Sequence, residues 1–399
     1  MSRRPPLVFI FTVTLTGILN NTLVTPAIPD ILSDFGVADR NSGLLVASGS
    51  VAGIIVAPLM GFLADRFGRR VVLTSCLAIF GGFGLLSALS PTFELLLLAR
   101  LLQGVGSAGL INLAVVLIGD HWSGADRTRL VGRNASVLTV GLAFMPIVSG
   151  AVTQAAGWRV TFGLYTVALV TAAASFWVLD KGRPLRRVSA ADQLRGAGEV
   201  IRQPEVATTL GVGFLVFVII FGLFLSVFPL QLAQRFGMEA GARGILISVP
   251  ALTSTLAAFN LGRIRAWLSV RAIVLLGGLG FALAFFLLGA ASILPLLVVA
   301  ALCHGASEGA FIPTLQDQAM EASPDDHRGA VVAVWVGFAR LGQTVGPLLA
   351  GLALAVWSPG TTLMVGSALG VVIFVVALVG PLTRQRTGGR FTAEKGTQR

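Results

Sequence analysis

The chain has 399 residues, of which 55% are hydrophobic and only 12% are charged. A typical soluble domain carries about 25% charged residues, so this composition excludes a water-facing globular surface and indicates a membrane protein. The formal net charge of +11 does not indicate nucleic-acid binding, because the basic residues are divided among many connections. Both cysteines, Cys76 and Cys303, lie within apolar runs, so no disulfide framework is predicted.

Twelve apolar segments follow one another along the chain, each long enough to span a bilayer, which takes about 20 residues. Within lipid at these lengths, only helices satisfy their own backbone polar groups. The predicted fold class is therefore an all-α membrane protein with twelve transmembrane helices. Their predicted limits are 7–29, 43–64, 71–90, 95–118, 130–155, 160–179, 207–232, 244–264, 272–291, 295–319, 329–356 and 360–382.

The basic residues predict the orientation of these helices. With both termini in the cytoplasm, 23 of the 29 Lys and Arg residues fall on the cytoplasmic side. Only four fall in outer loops: Arg40, Arg159, Arg235 and Arg243. The positive-inside rule therefore predicts a multi-pass protein of the inner or plasma membrane with both termini cytoplasmic. Residues 180–206 are predicted to form a basic cytoplasmic linker, and residues 383–399 a basic cytoplasmic tail.

The short connection between the second and third helices combines two glycines, one acid and three arginines. The arginines mark the cytoplasmic face, whereas Asp65 adds nothing to that signal and is expected to pair with another group. The stretch resembles the loop signature of the major facilitator superfamily, although an ordinary basic loop is the other interpretation. The resemblance implies a cytoplasmic gate formed by Gly61, Asp65, Arg66, Gly68, Arg69 and Arg70.

An internal repeat relates the two halves of the chain at a constant offset of 201 residues. The matched pairs include Gly43 with Gly244, Gly104 with Gly305, Arg127 with Arg328, Pro146 with Pro347 and Gly150 with Gly351. The repeat predicts a six-helix half over 1–179 and a second over 207–382. Two such halves with a site between them are the carrier architecture of the same superfamily.

Two further stretches resemble this superfamily. On the fourth helix, Arg100, Gln103 and Gly104 match its arginine, glutamine and glycine pattern. Arg100 either has a functional role inside the protein or extends its guanidinium toward the membrane interface. On the fifth helix, Gly141, Pro146 and Gly150 resemble the glycine–proline signature of the drug–proton antiporter branch. Met145 and Ser149 depart from that signature, at positions where glycine is usual in the branch.

Several polar and aromatic residues are candidates for a substrate cavity, among them Arg100, Gln103 and, on the tenth helix, Glu308. Asn20 and Asn21 lie at mid-depth on the first helix, where they need polar partners. Arg340 lies deep on the eleventh helix. The seventh helix carries phenylalanines at three- and four-residue spacing, namely Phe214, Phe217, Phe221, Phe224 and Phe228. The family resemblance implies that this helix lines the cavity, so Phe217, Phe221 and Phe224 contact either substrate or neighbouring helices and lipid.

The tenth helix carries His304 and Glu308, four residues apart and hence on one face. Glu308 is predicted at mid-membrane, where a charged carboxylate is costly and a proton would neutralise it. Glu308, Asp65 and His304 are the candidates for proton coupling. The alternative for Glu308 is a structural ion pair with Arg340 or Arg100.

Together these features predict a secondary active transporter that works by alternating access, with no cofactor and no metal. It is expected to export small apolar or cationic compounds in exchange for protons, as in multidrug efflux. The alternative is a carrier of the same superfamily that moves a metabolite by symport or uniport. An enzyme is not predicted, because His121, His304 and His327 are scattered along the chain. The predicted partners are a small-molecule substrate, protons and the lipid bilayer, and the predicted state is monomeric.

Overall fold

A computed structural model describes residues 4–180, 198, 201–321 and 328–381, and the described residues form helices joined by short connections. The predicted tail, 383–399, lies outside the described residues, as do most of the predicted linker and His327. We number the twelve long helical segments of this part of the chain α1 to α12. They are α1 Leu7–Asp34, α2 Asn41–Phe67, α3 Arg69–Ala88, α4 Phe93–His121, α5 Gly124–Ala156, α6 Trp158–Val178, α7 Pro204–Phe236, α8 Ala240–Phe259, α9 Val270–Ala290, α10 Leu294–Glu321, α11 Arg328–Leu354 and α12 Pro359–Val379.

Eleven of the described helices are both long and apolar enough to cross a membrane. The twelfth, α2, is 27 residues long, or about 40 Å at 1.5 Å per residue, and so exceeds the ~30 Å hydrocarbon layer. Large apolar side chains on the outside are exposed, for example Val8, Phe259 and Leu352. Such a surface suits lipid, since water would not stabilise it. The prediction of an all-α membrane fold with twelve helices is confirmed.

Five of the described helices are interrupted: α6 by a 3-10 turn at Gly163–Tyr165, α12 at Ser367, and α1, α4 and α7 as follows. In α1, a 3-10 turn over Thr25–Ala27 contains Pro26, which lacks a backbone donor. In α4, the regular helix ends at Ser107 and resumes at Leu110. In α7, Ile219–Val227 adopt a π-helix, which is rare and frequent at functional sites.

Two buried apolar clusters support the fold, and each is built almost wholly from one set of six helices. The first cluster comes from α1–α6 and includes Phe80 and Phe162, both fully buried. The second comes from α7–α12 and includes Phe281, Phe285 and Phe311. Below, "the first half" means α1–α6 and "the second half" means α7–α12.

The helix ends define two faces of the molecule. The face that carries the Asp65–Arg70 connection is called the motif face, and the face that carries the α1–α2 connection is called the opposite face. Helix pairs α5–α8 and α2–α11 make the most extensive contacts between the halves. Polar contacts between the halves gather at the opposite face, as detailed below. At the motif face, the hydrogen bonds and ion pairs that join described residues to one another stay within one half. The structure is therefore closed at the opposite face.

Candidate transport site and gates

Glu308 lies at the middle of α10, the fifteenth of its 28 residues, or about 21 Å from the helix start. Its side chain is 27% exposed, and its Oε2 lies 3.8 Å from Nε2 of His304, one turn earlier. No other ion pair of Glu308 occurs among the described residues. In particular, neither Arg100 nor Arg340, both described, comes within 4.0 Å of it. The structural ion pair considered as an alternative is therefore absent from this conformation.

His304 is fully buried in an aromatic cage. Its ring lies 4.5 Å from that of Phe224, 5.6 Å from that of Phe281 and 5.2 Å from that of Phe285, measured between centroids. Neither ring nitrogen has a hydrogen-bond partner among the described residues. The carboxyl group of Glu308 is the ion-pair partner of His304 among the described residues, so proximity couples the two side chains.

The phenylalanines of α7 do not form the single stripe predicted from their spacing. The π-helix of Ile219–Val227 uses i→i+5 hydrogen bonds, so it turns more slowly than the three- and four-residue pattern assumes. Phe217 and Phe221 are half-buried, with ring centroids 6.4 Å apart. Phe224 and Phe228 are buried and stacked at 5.2 Å. Of the three predicted cavity rings, Phe217 and Phe221 are thus accessible, whereas Phe224 supports His304.

Arg100 is fully buried within the first half and bonded on several sides. Its guanidinium donates to Oε1 of Gln103 at 2.7 Å, to the backbone carbonyl of Asn20 at 2.9 Å and to the hydroxyl of Tyr165 at 3.2 Å. A side chain at Gly49 would collide with the guanidinium, so α2 can approach this cluster only through glycine. Arg100 and Gln103 have no accessible surface here, and they join α1, α4 and α6.

The two asparagines of α1 face different surroundings. Asn20 is buried and donates from Nδ2 to the carbonyl of Gly49 at 2.8 Å. Asn21 is half-buried. The Oδ1 atom of each has no hydrogen-bond partner among the described residues. Asn20 therefore contributes to the packing of α1 against α2, whereas Asn21 retains a free acceptor.

Arg340 belongs to the second half but reaches the first. Its Nη1 donates to Oε1 of Gln343 at 3.2 Å. A Cβ at Gly53 would lie 3.2 Å from Cδ of Arg340, so the side chain lies against the bare backbone of α2. Both positions are near the middle of their helices. Arg340 thus lies between the halves at mid-membrane.

The gate motif forms a tight turn with one ion-pair chain. Gly68 is the single residue between α2 and α3, and its φ of 91° favours glycine. The expected partner of Asp65 is Arg69, at 2.6 Å, and Arg69 also contacts Asp120 at the end of α4, at 3.0 Å. The ion-pair chain therefore fastens the α2–α3 connection to α4.

The remaining residues of the motif lie at the helix ends beside this turn. The guanidinium of Arg66 lies 5.5 Å from the ring of Phe67, and that of Arg70 lies 5.0 Å from the ring of Phe176 on α6. Gly61 lies within α2, and its packing is outside what the structure describes.

The second half has a related connection, in which an arginine again pairs with acids at a helix end. Arg265 lies in a short helix, Leu261–Trp267, that precedes α9. It contacts Asp317 at 2.8 Å and Glu321 at 4.0 Å on α10. Glu321 is the repeat partner of Asp120, so both halves use an acid at the same helix end.

The helix-five motif lies where the two halves touch at the opposite face. A side chain at Gly150 would overlap the carbonyl of Ala240, and one at Gly244 would overlap the carbonyl of Pro146. The repeat partners make the same contact, since a side chain at Gly43 would overlap the carbonyl of Pro347. Glycines thus let α5 meet α8 and let α2 meet α11, backbone to backbone.

Gly141, the remaining residue of the motif, serves a different contact. A side chain there would overlap Ile18 on α1. It therefore packs inside the first half.

The sequence does not reveal the most extensive polar contact between the halves. Arg243, predicted to lie in an outer loop, is instead the fourth residue of α8 and is only 3% exposed. Its guanidinium donates to the carbonyl of Pro26 at 2.9 Å, to that of Met238 at 3.1 Å and to the carboxylate of Asp30. We call this cluster the Arg243 latch. The pair of Gln234 with Asp39 and the pair of Gln154 with Glu239 join the halves nearby.

Comparison with known proteins agrees with this architecture. The sequence profile of the Major Facilitator Superfamily matches residues 10–242 and, in a second match, residues 210–398. The chain belongs to the major facilitator superfamily. The overlapping matches cover both halves, and proteins of this superfamily are multi-pass membrane transporters of small molecules.

Two curated bacterial relatives are similar to this major facilitator protein. It is 26% identical to the tetracycline resistance protein, class B, of Escherichia coli over 399 residues, which cover 95% of this chain and 96% of that protein. It is 25% identical to the bacillibactin exporter of Bacillus subtilis (strain 168) over 260 residues. That match covers 61% of this chain and 63% of the exporter, less than two thirds of its length.

Among solved structures, a bacterial homolog of the human lysosomal transporter Spinster, in an inward-facing and occupied conformation, shares the fold. The TM-score is 0.72 and the sequence identity 19%, over 93% of this chain and 94% of that one. Family, relatives and fold agree on a membrane transporter.

Proposed function

We propose that this protein exports small, largely apolar molecules in exchange for protons, as a secondary active transporter that works by alternating access. The observation that carries the proposal is Glu308, a partly exposed carboxylate at the centre of a membrane helix. Among the described residues it has no arginine partner, so its negative charge in lipid is costly. A bound proton removes that cost, and its release on the other side of the membrane restores the charge.

The contacts between the halves support alternating access. The halves touch through bare backbone at Gly43, Gly150 and Gly244, which permits contact without interlocking side chains. The polar contacts that close the opposite face are few and specific, and the Arg243 latch is the most buried of them. Rocking of residues 1–179 against residues 207–382 would break these contacts and open the opposite face.

Relatives named as an exporter and a resistance protein support export as the direction of transport. Half-buried rings on α7 provide an apolar surface between the halves for such a cargo. With the orientation predicted from the basic residues, the motif face is cytoplasmic, and the polar contacts that close the structure lie at the outer face. Cargo would therefore enter from the cell interior.

Labelling of single cysteines tests that orientation. Cysteines at Val37 and Met238, in a background without Cys76 and Cys303, should react with an impermeant maleimide in intact cells. A cysteine at Phe67 should react only after the membrane is opened. Labelling of position 67 in sealed cells would overturn the orientation.

Flux measurements test the function itself. Purified protein in liposomes is given a pH gradient alone, a voltage alone or neither, across a panel of radiolabelled apolar compounds. A pH gradient should drive at least one compound uphill, and substrate on the far side should stimulate exchange. Flux that follows only the gradient of the compound, whatever the pH, would contradict proton exchange and indicate a uniporter.

A further inference from the structure

Four side chains on the neighbouring helices α7 and α11 are partly exposed near mid-membrane, and the proposed proton site does not use them. They are Phe217, Phe221, Arg340 and Gln343, and we call them the Arg340 site. The two helices are in close contact there, since a Cβ at Gly342 would lie 2.8 Å from Cβ of Phe217. Neighbouring helices α7 and α11 thus carry partly exposed aromatic rings and a guanidinium group, and that guanidinium lies against α2 of the other half.

Arg340 has far more hydrogen-bonding capacity than the protein uses. A guanidinium carries five N–H donors, and among the described residues one of them is occupied, by Gln343. No Asp or Glu lies within 4.0 Å of Arg340 among the described residues. A positive charge inside a membrane protein generally pairs with an anion or faces water, because lipid does not stabilise it.

The other deep arginines of the described spans are accounted for differently. Arg100 has three hydrogen-bond acceptors and no accessible surface. Arg243 has the carboxylate of Asp30 and two carbonyls. Arg340 alone in this group is both accessible and without a carboxylate, so it has the chemistry of a binding group rather than of a structural one.

The backbone around Arg340 is also shaped to leave space. Gly53 of α2 faces the side chain, so the first half contributes no side chain of its own at that point. The π-helix of α7 begins between Phe217 and Phe221, and the hydroxyl of Ser226 caps the carbonyl of Phe221.

We propose that the Arg340 site binds the acidic group of an amphipathic organic anion, a carboxylate or a sulfonate, whose apolar body lies against Phe217 and Phe221. This assignment rests on the proposed export function and specifies the cargo. It replaces the expectation of an apolar or cationic compound with an apolar compound that carries one negative charge. The guanidinium suits a carboxylate because its paired N–H groups match the two oxygens.

Equilibrium binding tests the proposal without transport. The protein is placed in nanodiscs of zwitterionic lipid, and binding of 2-naphthoate and of 2-naphthylmethylammonium is measured by titration calorimetry against empty nanodiscs. The two probes share one ring system and differ in charge. Wild type should bind the anion at least about tenfold more tightly, since hydrogen bonds to charged groups are the strong ones.

Variants separate the charge from the rings. Arg340→Gln should weaken naphthoate binding about tenfold or more and leave the ammonium probe unchanged, whereas Arg340→Lys should retain most of the affinity. Phe221→Leu should weaken both probes equally and gives a second test if Arg340→Gln does not fold. Arg263→Gln, an exposed arginine outside the membrane core, makes the same charge change and should have no effect.

Several results would overturn the assignment. They are preference for the ammonium probe, binding of neither probe, and naphthoate affinity that survives Arg340→Gln. Competition by phosphatidylglycerol in the nanodisc would assign the guanidinium to a lipid phosphate instead of cargo. If anion binding holds but no pH gradient drives flux, the export proposal fails while the Arg340 site stands.

Discussion

The Arg243 latch gives the sharpest prediction about how the opposite face stays closed. Its guanidinium makes three polar contacts, and two of them, to Pro26 and Asp30, cross from the second half to the first. Replacement by glutamine removes the positive charge and gives a shorter side chain. The opposite face should then open more often, because these two crossing contacts exist only when the halves meet.

The magnitude follows from the exposure of the two partners. Hydrogen bonds to charged groups contribute about 1.5–3 kcal/mol each when buried, but exposed ion pairs contribute only about 0–1 kcal/mol. The carboxylate of Asp30 is 40% exposed, whereas Arg243 is almost fully buried. We therefore expect Arg243→Gln to weaken closure by about 2 kcal/mol, which multiplies the ratio of open to closed molecules about thirtyfold.

Distance measurements between spin labels can detect this shift. Labels at Ala38 and Arg235, both exposed and on different halves, are introduced in a background without Cys76 and Cys303. In Arg243→Gln a population with a longer distance should grow, and in Arg243→Lys it should grow less. A distance distribution identical to that of wild type would refute the reasoning.

A matched control isolates the effect of crossing between halves. Asp34 pairs with Arg159 at 3.0 Å on the same face, but both residues belong to the first half. Asp34→Asn removes a similar charge pair without touching the contact between halves. It should leave the distances unchanged, and a shift as large as that of Arg243→Gln would point to a general surface-charge effect.

Two other substitutions test the contacts at each face. Gly150→Ala should disfavour closure of the opposite face, because its Cβ would overlap the backbone of α8. Gly132→Ala on the same helix is the control, since a Cβ there meets open space, and it should give the wild-type distances between spin labels. Equal distances in both glycine variants would contradict the packing argument. Asp65→Asn should cut flux strongly without loss of monodisperse protein, because it breaks the chain through Arg69 to Asp120. Wild-type flux in that variant would reduce the motif to a topology signal.

The sequence predicts the helices of this fold well because the signal is local. Twelve apolar runs and a fixed repeat need no knowledge of tertiary contacts. The repeat even identifies contact positions, since Pro146 and its partner Pro347 each meet a glycine of the other half. These pairs follow from symmetry, which the sequence records directly.

What escaped prediction depends on distant partners or on backbone register. Arg243 resembles a loop arginine in sequence, and its burial follows from Asp30, 213 residues away. The π-helix of α7 is equally hidden, because almost every residue around it is apolar and periodicity gives no contrast. The sequence already indicates Phe217, Phe221 and Arg340 as cavity candidates, but which of the phenylalanines stay partly exposed could only come from the structure.

The central claim is that Glu308 carries the coupled proton, and one measurement tests it most directly. Glu308→Gln is a permanently neutral mimic of the protonated side chain, so it should still bind cargo and rock between states. In liposomes it should lose uphill transport driven by a pH gradient while exchange of substrate for substrate continues. The purified variant is first checked for monodispersity. Undiminished uphill transport by Glu308→Gln would contradict the account.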